Sequence, residues 1–208
     1  MIRRSVFVYV AVIALMLAGI VLPEALGASR AGYSSAANYL SELGETGAPT
    51  RGLTNGLAFP VVALSCISLF VALWHRWPAT TAVRAGLVCL LIGIPLGYLG
   101  AVAFPCDAGC PIEGTAKQSV HNLLGLVQYP LGILGFFLLG LKLRIHPALR
   151  ALCLVAAAAM ALGFVMMVNP GQTAWRGGWQ RLGDYTAFVV LGWLSLSSQP
   201  RIARGSLT

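Results

Sequence analysis

Six apolar runs dominate this chain and decide what it can fold into. They cover residues 5–22, 53–74, 85–104, 120–141, 151–168 and 182–198. About 20 apolar residues cross the hydrocarbon core of a bilayer as a helix, because a helix satisfies its backbone polar groups internally. Composition closes off the alternative. Hydrophobic residues make up 58% of the 208 and charged residues 10%, whereas a soluble domain carries roughly a quarter charged. With a mean hydropathy of +0.80, the chain cannot cover a globule with polar surface. The expected fold is all-α, a polytopic membrane bundle of six transmembrane helices in a single domain over 1–208.

Basic residues set the expected orientation. One side of the membrane collects Arg3, Arg4, Arg76, Arg84, Lys142, Arg144, Arg150, Arg201 and Arg204. The other collects Arg30, Arg51, Lys117, Arg176 and Arg181. The richer side is expected to be cytoplasmic, with both termini there, at the plasma membrane. The net charge of +8 thus reads as a topology signal. No basic stripe interleaved with aromatics marks a nucleic-acid surface. All six acids (Glu24, Glu42, Glu45, Asp107, Glu113 and Asp184) fall on the outer side, which points to a functional outer face. The competing interpretation of the first run is a signal peptide, with Arg3-Arg4 before it and Ala25-Leu26-Gly27 after it. That would leave five spans and break the pairing into hairpins.

The inner links are tight and the outer loops long, so the chain is expected to form three hairpins opening outward. Pro23, Pro105 and Pro170 are expected to end the odd-numbered helices, since proline disfavours helix at the preceding residue. Gly93-x-x-x-Gly97 and Gly132-x-x-Gly135 suit close helix packing, and Pro95 between the first two is expected to kink the third helix.

The outer segments carry the candidate chemistry. In the first, Tyr33, Ala36, Leu40 and Leu43 share one helical face, while Asn38, Ser41, Glu42 and Glu45 lie toward the other. A short amphipathic helix over 33–43 is expected, lying across the mouth of the bundle, with Gly44 just past its end. In the second, Cys106 and Cys110 flank a turn containing Gly109. A disulfide is the expected state on an oxidising face. Free thiols are one alternative. A metal site of Cys106, Cys110, His121 and an acid is another, for which one local histidine is thin support.

His121 is expected at the start of the fourth helix, with Asn122 beside it and Ser119 as cap. It is the one histidine among the outer acids, since His75 and His146 fall in inner turns. Asp184 is expected to open the sixth helix, with Arg181 as its partner. Ionisable groups at membrane depth are costly unless paired or hydrated, so they mark a functional-site candidate. Glu42, Asp107, His121 and Asp184 are expected to converge on one outward cavity, with Arg181 and Asn38 as further ligand contacts.

The segment Asn38-Tyr39-Leu40-Ser41-Glu42-Leu43-Gly44, the turn Phe104-Pro105-Cys106-Asp107 and His121 together resemble the bacterial and archaeal multi-pass membrane proteins catalogued as domain of unknown function 998. The resemblance extends over nearly the whole chain in layout. It implies a six-helix bundle whose polar signature is matched here by Ser41, Glu42, Asp107 and His121. It brings no activity. The Cys106/Cys110 pair lies outside that pattern.

Three functions remain open on the sequence. The first is binding of a lipid headgroup or small amphiphile in the outer pocket. The second is a membrane-embedded hydrolase, with His121 as general base, Asp107 or Glu42 orienting it, and Ser41 or water as nucleophile. The third is a small transporter, which needs a polar path continuing inward past Pro95 and Pro130. No cofactor and no metal are expected, and membrane lipid is the expected partner.

Overall fold

The computed structural model describes residues 2–143 and 146–198, with side chains from Ser5 onward. Six long helices run up and down. α1 joins Ile2–Met16, a π turn at Leu17–Val21 and Leu22–Ser29 into one rod, and α2 likewise joins Arg51–Leu53, a π turn at Thr54–Ala58 and Phe59–Trp74. α3 is Thr81–Ala103, α4 Ala116–Lys142, α5 Pro147–Met167 and α6 Arg176–Ser197. Each helix packs on its neighbours in sequence, and α6 returns against α1 and α2 to close the ring. The first run is therefore part of the bundle, with Val8 and Leu15 buried in its core. α1 to α5 are long and apolar enough to cross a membrane. α6 is as long, and Arg176, Arg181 and Asp184 make it more polar.

The exterior confirms the solvent. Val6, Val10, Ile13, Leu17 and Val21 are all more than half exposed along one stripe of α1. Leu134, Phe137 and Leu141 repeat the pattern on α4, as do Leu162 and Val165 on α5. Water would penalise such a belt heavily, and lipid does not. The interior is packed through Phe70, Phe136 and Phe188 among leucines from every helix. Glycine sets the spacing at the α3–α4 seam. A Cβ on Gly93 would fall 2.8 Å from the Cβ of Leu131, and one on Gly135 would fall 2.9 Å from the carbonyl oxygen of Gly86.

Pro105 and Pro170 follow the ends of α3 and α5 as expected. Pro23 does not end α1, which continues to Ser29. A π turn stands directly before it. A proline inside a helix has no N–H to donate, and its ring crowds the carbonyl four residues back. In α1 the amide of Leu22 reaches back five residues to Leu17, which widens the helix just before Pro23. The same device recurs in α2. Phe59 bonds to Thr54, and Pro60 follows directly. Both π turns thus sit at the same offset ahead of a proline.

The amphipathic helix expected over 33–43 is reduced to one 3-10 turn, Leu40–Gly44. Upstream, the Asn38 side chain accepts from the amide of Ser34 at 2.8 Å, a local bond that competes with helix. The segments between α1 and α2, α3 and α4, and α5 and α6 meet at one end, the loop end. There Thr46 donates to the carbonyl of Cys106 and Gly178 to that of Ala36. At the opposite end the Trp77 indole donates to Ser198 Oγ at 2.8 Å. Arg144, Arg201 and Arg204 lie outside the described residues, as do the side chains of Arg3 and Arg4.

Candidate functional site

Three arginine–glutamate pairs hold the loop end together. Arg181 reaches out of α6 and donates to Glu24 of α1 at 2.6 Å. Its guanidinium also donates to the carbonyls of Ser35 and Asn38, at 2.8 and 2.9 Å, and to the Tyr33 hydroxyl at 2.6 Å. Arg176, at the start of α6, pairs with the buried carboxylate of Glu42 at 3.0 Å, donates to the carbonyl of Ala37, and stacks on the Tyr39 ring at 4.4 Å. Arg30 pairs with Glu45 at 2.5 Å and donates to the carbonyl of Glu42. Burial pushes the Tyr33 and Tyr39 hydroxyls above their usual range. Both stay protonated, and Tyr33 donates onward to the carbonyl of Tyr39 at 2.9 Å.

The remaining acceptor sites are filled locally. Glu42 also accepts from the Asn38 amide at 2.6 Å and from the backbone N–H of Tyr39 at 2.8 Å. Glu24 accepts from Ser35 at 2.6 Å and from the Tyr185 hydroxyl. Glu45 accepts from the backbone N–H of Gly109 at 2.5 Å, which ties the first loop to the cysteine turn. A disulfide joins Cys106 and Cys110 across that turn, with Cα atoms 5.1 Å apart. Gly109 and Cys110 both take positive φ, 76° and 46°. Glycine does so at no steric cost. Asp107 is held by the backbone N–H and hydroxyl of Thr115, at 2.8 and 3.0 Å, just before α4 begins.

Beneath this roof lies a cavity of about 440 Å³. Its polar wall is Asp184 with Tyr98, Gln128, Tyr129 and Gln180; its apolar wall is Phe59, Leu126, Phe164 and Met167. Tyr39, Ser41, His121 and Arg176 sit toward the roof side. Asp184 is buried, and accepts from the Tyr98 hydroxyl at 3.0 Å, the Tyr129 hydroxyl at 3.1 Å and the Gln128 amide at 3.4 Å. Gly97 makes room for Gln128. A Cβ there would overlap the amide oxygen. Gly125 lines the cavity too, and a Cβ on it would meet nothing within 4 Å. The apolar lining includes Leu126 of α4 and Val168 beyond α5, each about half exposed. The polar wall ends at Asp184, since the next inward turns of α6 bury Phe188, Leu191 and Leu194.

The four side chains expected in one cavity do not all reach it. His121 and Asp184 line it. Glu42, Asp107, Arg181 and Asn38 are committed to the loop lattice, because that is where the backbone donors and acceptors needing partners are. Arg181 pairs with Glu24 and not with Asp184. Nor does Asp184 open a helix. α6 begins at Arg176, so Asp184 is its ninth residue, roughly 12 Å along the axis. His121 is likewise not a helix start. α4 begins at Ala116, capped by Thr115, whose hydroxyl accepts from Gln118.

The ring of His121 bonds through Nδ1 to the carbonyl of Phe104 at 2.8 Å. That nitrogen must carry the proton, which leaves Nε2 as the free acceptor. Ser41 Oγ lies 3.3 Å from Cys110 Sγ. Neither Ser41, Asp107 nor Glu42 hydrogen-bonds to His121, so the hydrolase arrangement is not assembled. Cys106, Cys110 and His121 bring two sulfurs and a ring nitrogen within 4.8 Å of one another. With both sulfurs in the disulfide, the group offers a metal no thiolate.

Sequence reasoning missed Tyr98, Gln128, Tyr129, Gln180 and Arg176. The first three had a signal, being polar side chains inside otherwise apolar spans.

A family model described as protein of unknown function (DUF998) matches residues 8–197. No curated protein and no solved structure matches the chain.

Arg181→Ala removes one guanidinium from a glutamate, two loop carbonyls and a tyrosine at once. Glu24 is 38% exposed and keeps Ser35 and Tyr185, so the loss comes mainly from the loop carbonyls and the tyrosine and is about 1–3 kcal/mol. Arg181→Lys restores little of this, since a point charge cannot serve a planar fork of partners. Thermal unfolding in detergent should show both variants well below the parent, and an unchanged midpoint for Arg181→Ala would contradict the assignment.

Proposed function

The chain belongs to the family described as protein of unknown function (DUF998), and from that premise we propose that it is a membrane-embedded binding protein holding a lipid headgroup or small amphiphile in the cavity under its loops. The observation that carries this is the graded lining. Apolar side chains, of which Leu126 and Val168 are about half exposed, line the same cavity as the polar groups of Asp184, Tyr98, Gln128 and Tyr129. An amphiphile bound there would leave its chain against Leu126, Phe164 and Met167 and carry its head to the polar groups. Ligand sites share this build, mostly apolar with a few placed polar groups. Transport is less favoured, because the buried turns of α6 beyond Asp184 are apolar.

In the same proposal the loop end faces outward at the plasma membrane and both termini are cytoplasmic. The sequence, which assigns nine basic residues to the side of the termini and five to the other, supports this orientation. Reporter fusions after Arg51 and after Arg150 are expected to report outside and inside respectively. The reverse pattern would overturn it.

Gly125→Phe would project a ring into the cavity without disturbing the bundle. Native mass spectrometry of gently extracted parent protein is expected to show a bound amphiphile that this variant has lost, with its melting temperature preserved. A bound species retained by the variant, or none in the parent, would sink the proposal.

A further inference from the structure

At the loop end, each buried or half-buried glutamate has its own cation: Glu24 has Arg181, Glu42 has Arg176 and Glu45 has Arg30. Asp107 is taken up by Thr115. Asp184 differs from all of these. It is 3% exposed, and its hydrogen-bond partners among the described residues are neutral: two tyrosine hydroxyls and one amide. Arg181 sits three residues before it on the same helix, yet is turned to Glu24. Arg176 also lines the cavity, with its charge answered by Glu42.

A carboxylate has about four acceptor positions. Among the described residues, Oδ1 of Asp184 takes two bonds and Oδ2 takes one, which leaves an acceptor position on Oδ2. Aromatic rings line the same cavity. Tyr98 packs edge-on to Phe59 at 5.2 Å between centroids, and Tyr129 stacks on Phe164 at 5.3 Å. All four line the cavity. Ring faces carry negative potential and attract cations, ammonium groups above all when water is excluded. A carboxylate in a low-dielectric pocket acts in the same direction, and more strongly than it would in water.

We propose that the cavity selects a cationic head group, so that its ligand is an alkylammonium amphiphile with its nitrogen at Asp184 among Tyr98, Tyr129, Phe59 and Phe164. This rests on the binding function proposed above and narrows it. An anionic head would face the carboxylate directly. A neutral head would gain hydrogen bonds without the charge term.

The test uses the full chain in lipid nanodiscs and three probes of equal chain length, octyltrimethylammonium, octyl glucoside and octyl phosphate. Binding is read by isothermal titration calorimetry against empty nanodiscs. Octyltrimethylammonium is expected to bind roughly tenfold tighter than either of the others. Asp184→Asn, which keeps the shape and most of the hydrogen bonds, should erase that preference. Gly125→Phe should abolish binding of all three. Equal affinities that Gly125→Phe still abolishes would overturn the charge preference and leave the binding function standing. Binding that Gly125→Phe leaves untouched, or no binding by any probe, would overturn both. If Asp184→Asn does not fold, the ranking of the three probes on the parent protein decides the matter alone.

Discussion

The Arg181 guanidinium is the contact on which the loop end depends. It leaves α6, crosses to Glu24 on α1, and on the way closes two carbonyls of the first loop and the Tyr33 hydroxyl. In or near hydrocarbon an unpaired charge or bare carbonyl is expensive. One planar group with five donors resolves several such costs together. Arg176 does the same for Glu42 and the carbonyl of Ala37, and Arg30 for Glu45. The loop carries almost no regular structure, yet it is pinned over the bundle. A Cβ on Gly177 would fall 2.1 Å from the carbonyl oxygen of Asn38, so the loop lies directly on α6 where both arginines leave it.

A pinned roof lets the space beneath it stay open. The helices are drawn together by glycine at Gly86, Gly93 and Gly135. Toward the loop end, Gly125 faces open space. α1 and α2 each carry a π turn and run on through Pro23 and Pro60. α1 thereby carries Glu24 up to meet Arg181. Had α1 stopped at Pro23, the glutamate would have sat in a loop with nothing to hold it at that height.

Much of this was legible in the residues. Apolar run length marked the six helices, because the bilayer requires it. Pro105 and Pro170 marked helix ends, whereas Pro95 and Pro130 sit inside α3 and α4 without ending them. The Cys106/Cys110 spacing marked the disulfide. What was not legible depends on three-dimensional partnership. Arg181 and Glu24 are 157 positions apart, so proximity along the chain favoured Asp184 as the partner, and that was wrong. The helix over 33–43 failed because periodicity does not register Asn38 bonding back to Ser34. Asp184 was placed too shallow, since Arg176 and Arg181 lowered the hydropathy of a segment that is nonetheless helical. Tyr98, Gln128 and Tyr129 stood visible inside apolar spans, and only their convergence on Asp184 gave them meaning.

The central claim is that Gly125 borders a space open to small molecules, whereas Leu134, farther along α4, faces lipid. Cysteine labelling tests it most directly. With the parent protein as background, Gly125→Cys should react readily with a cationic methanethiosulfonate. Leu134→Cys, on the lipid-facing side of the same helix and 45% exposed, should hardly react. Labelling at Gly125→Cys should also slow when the cavity is filled with amphiphile. Gly125→Cys as inert as Leu134→Cys would contradict the account, since it would mean that no accessible cavity exists beneath the loops.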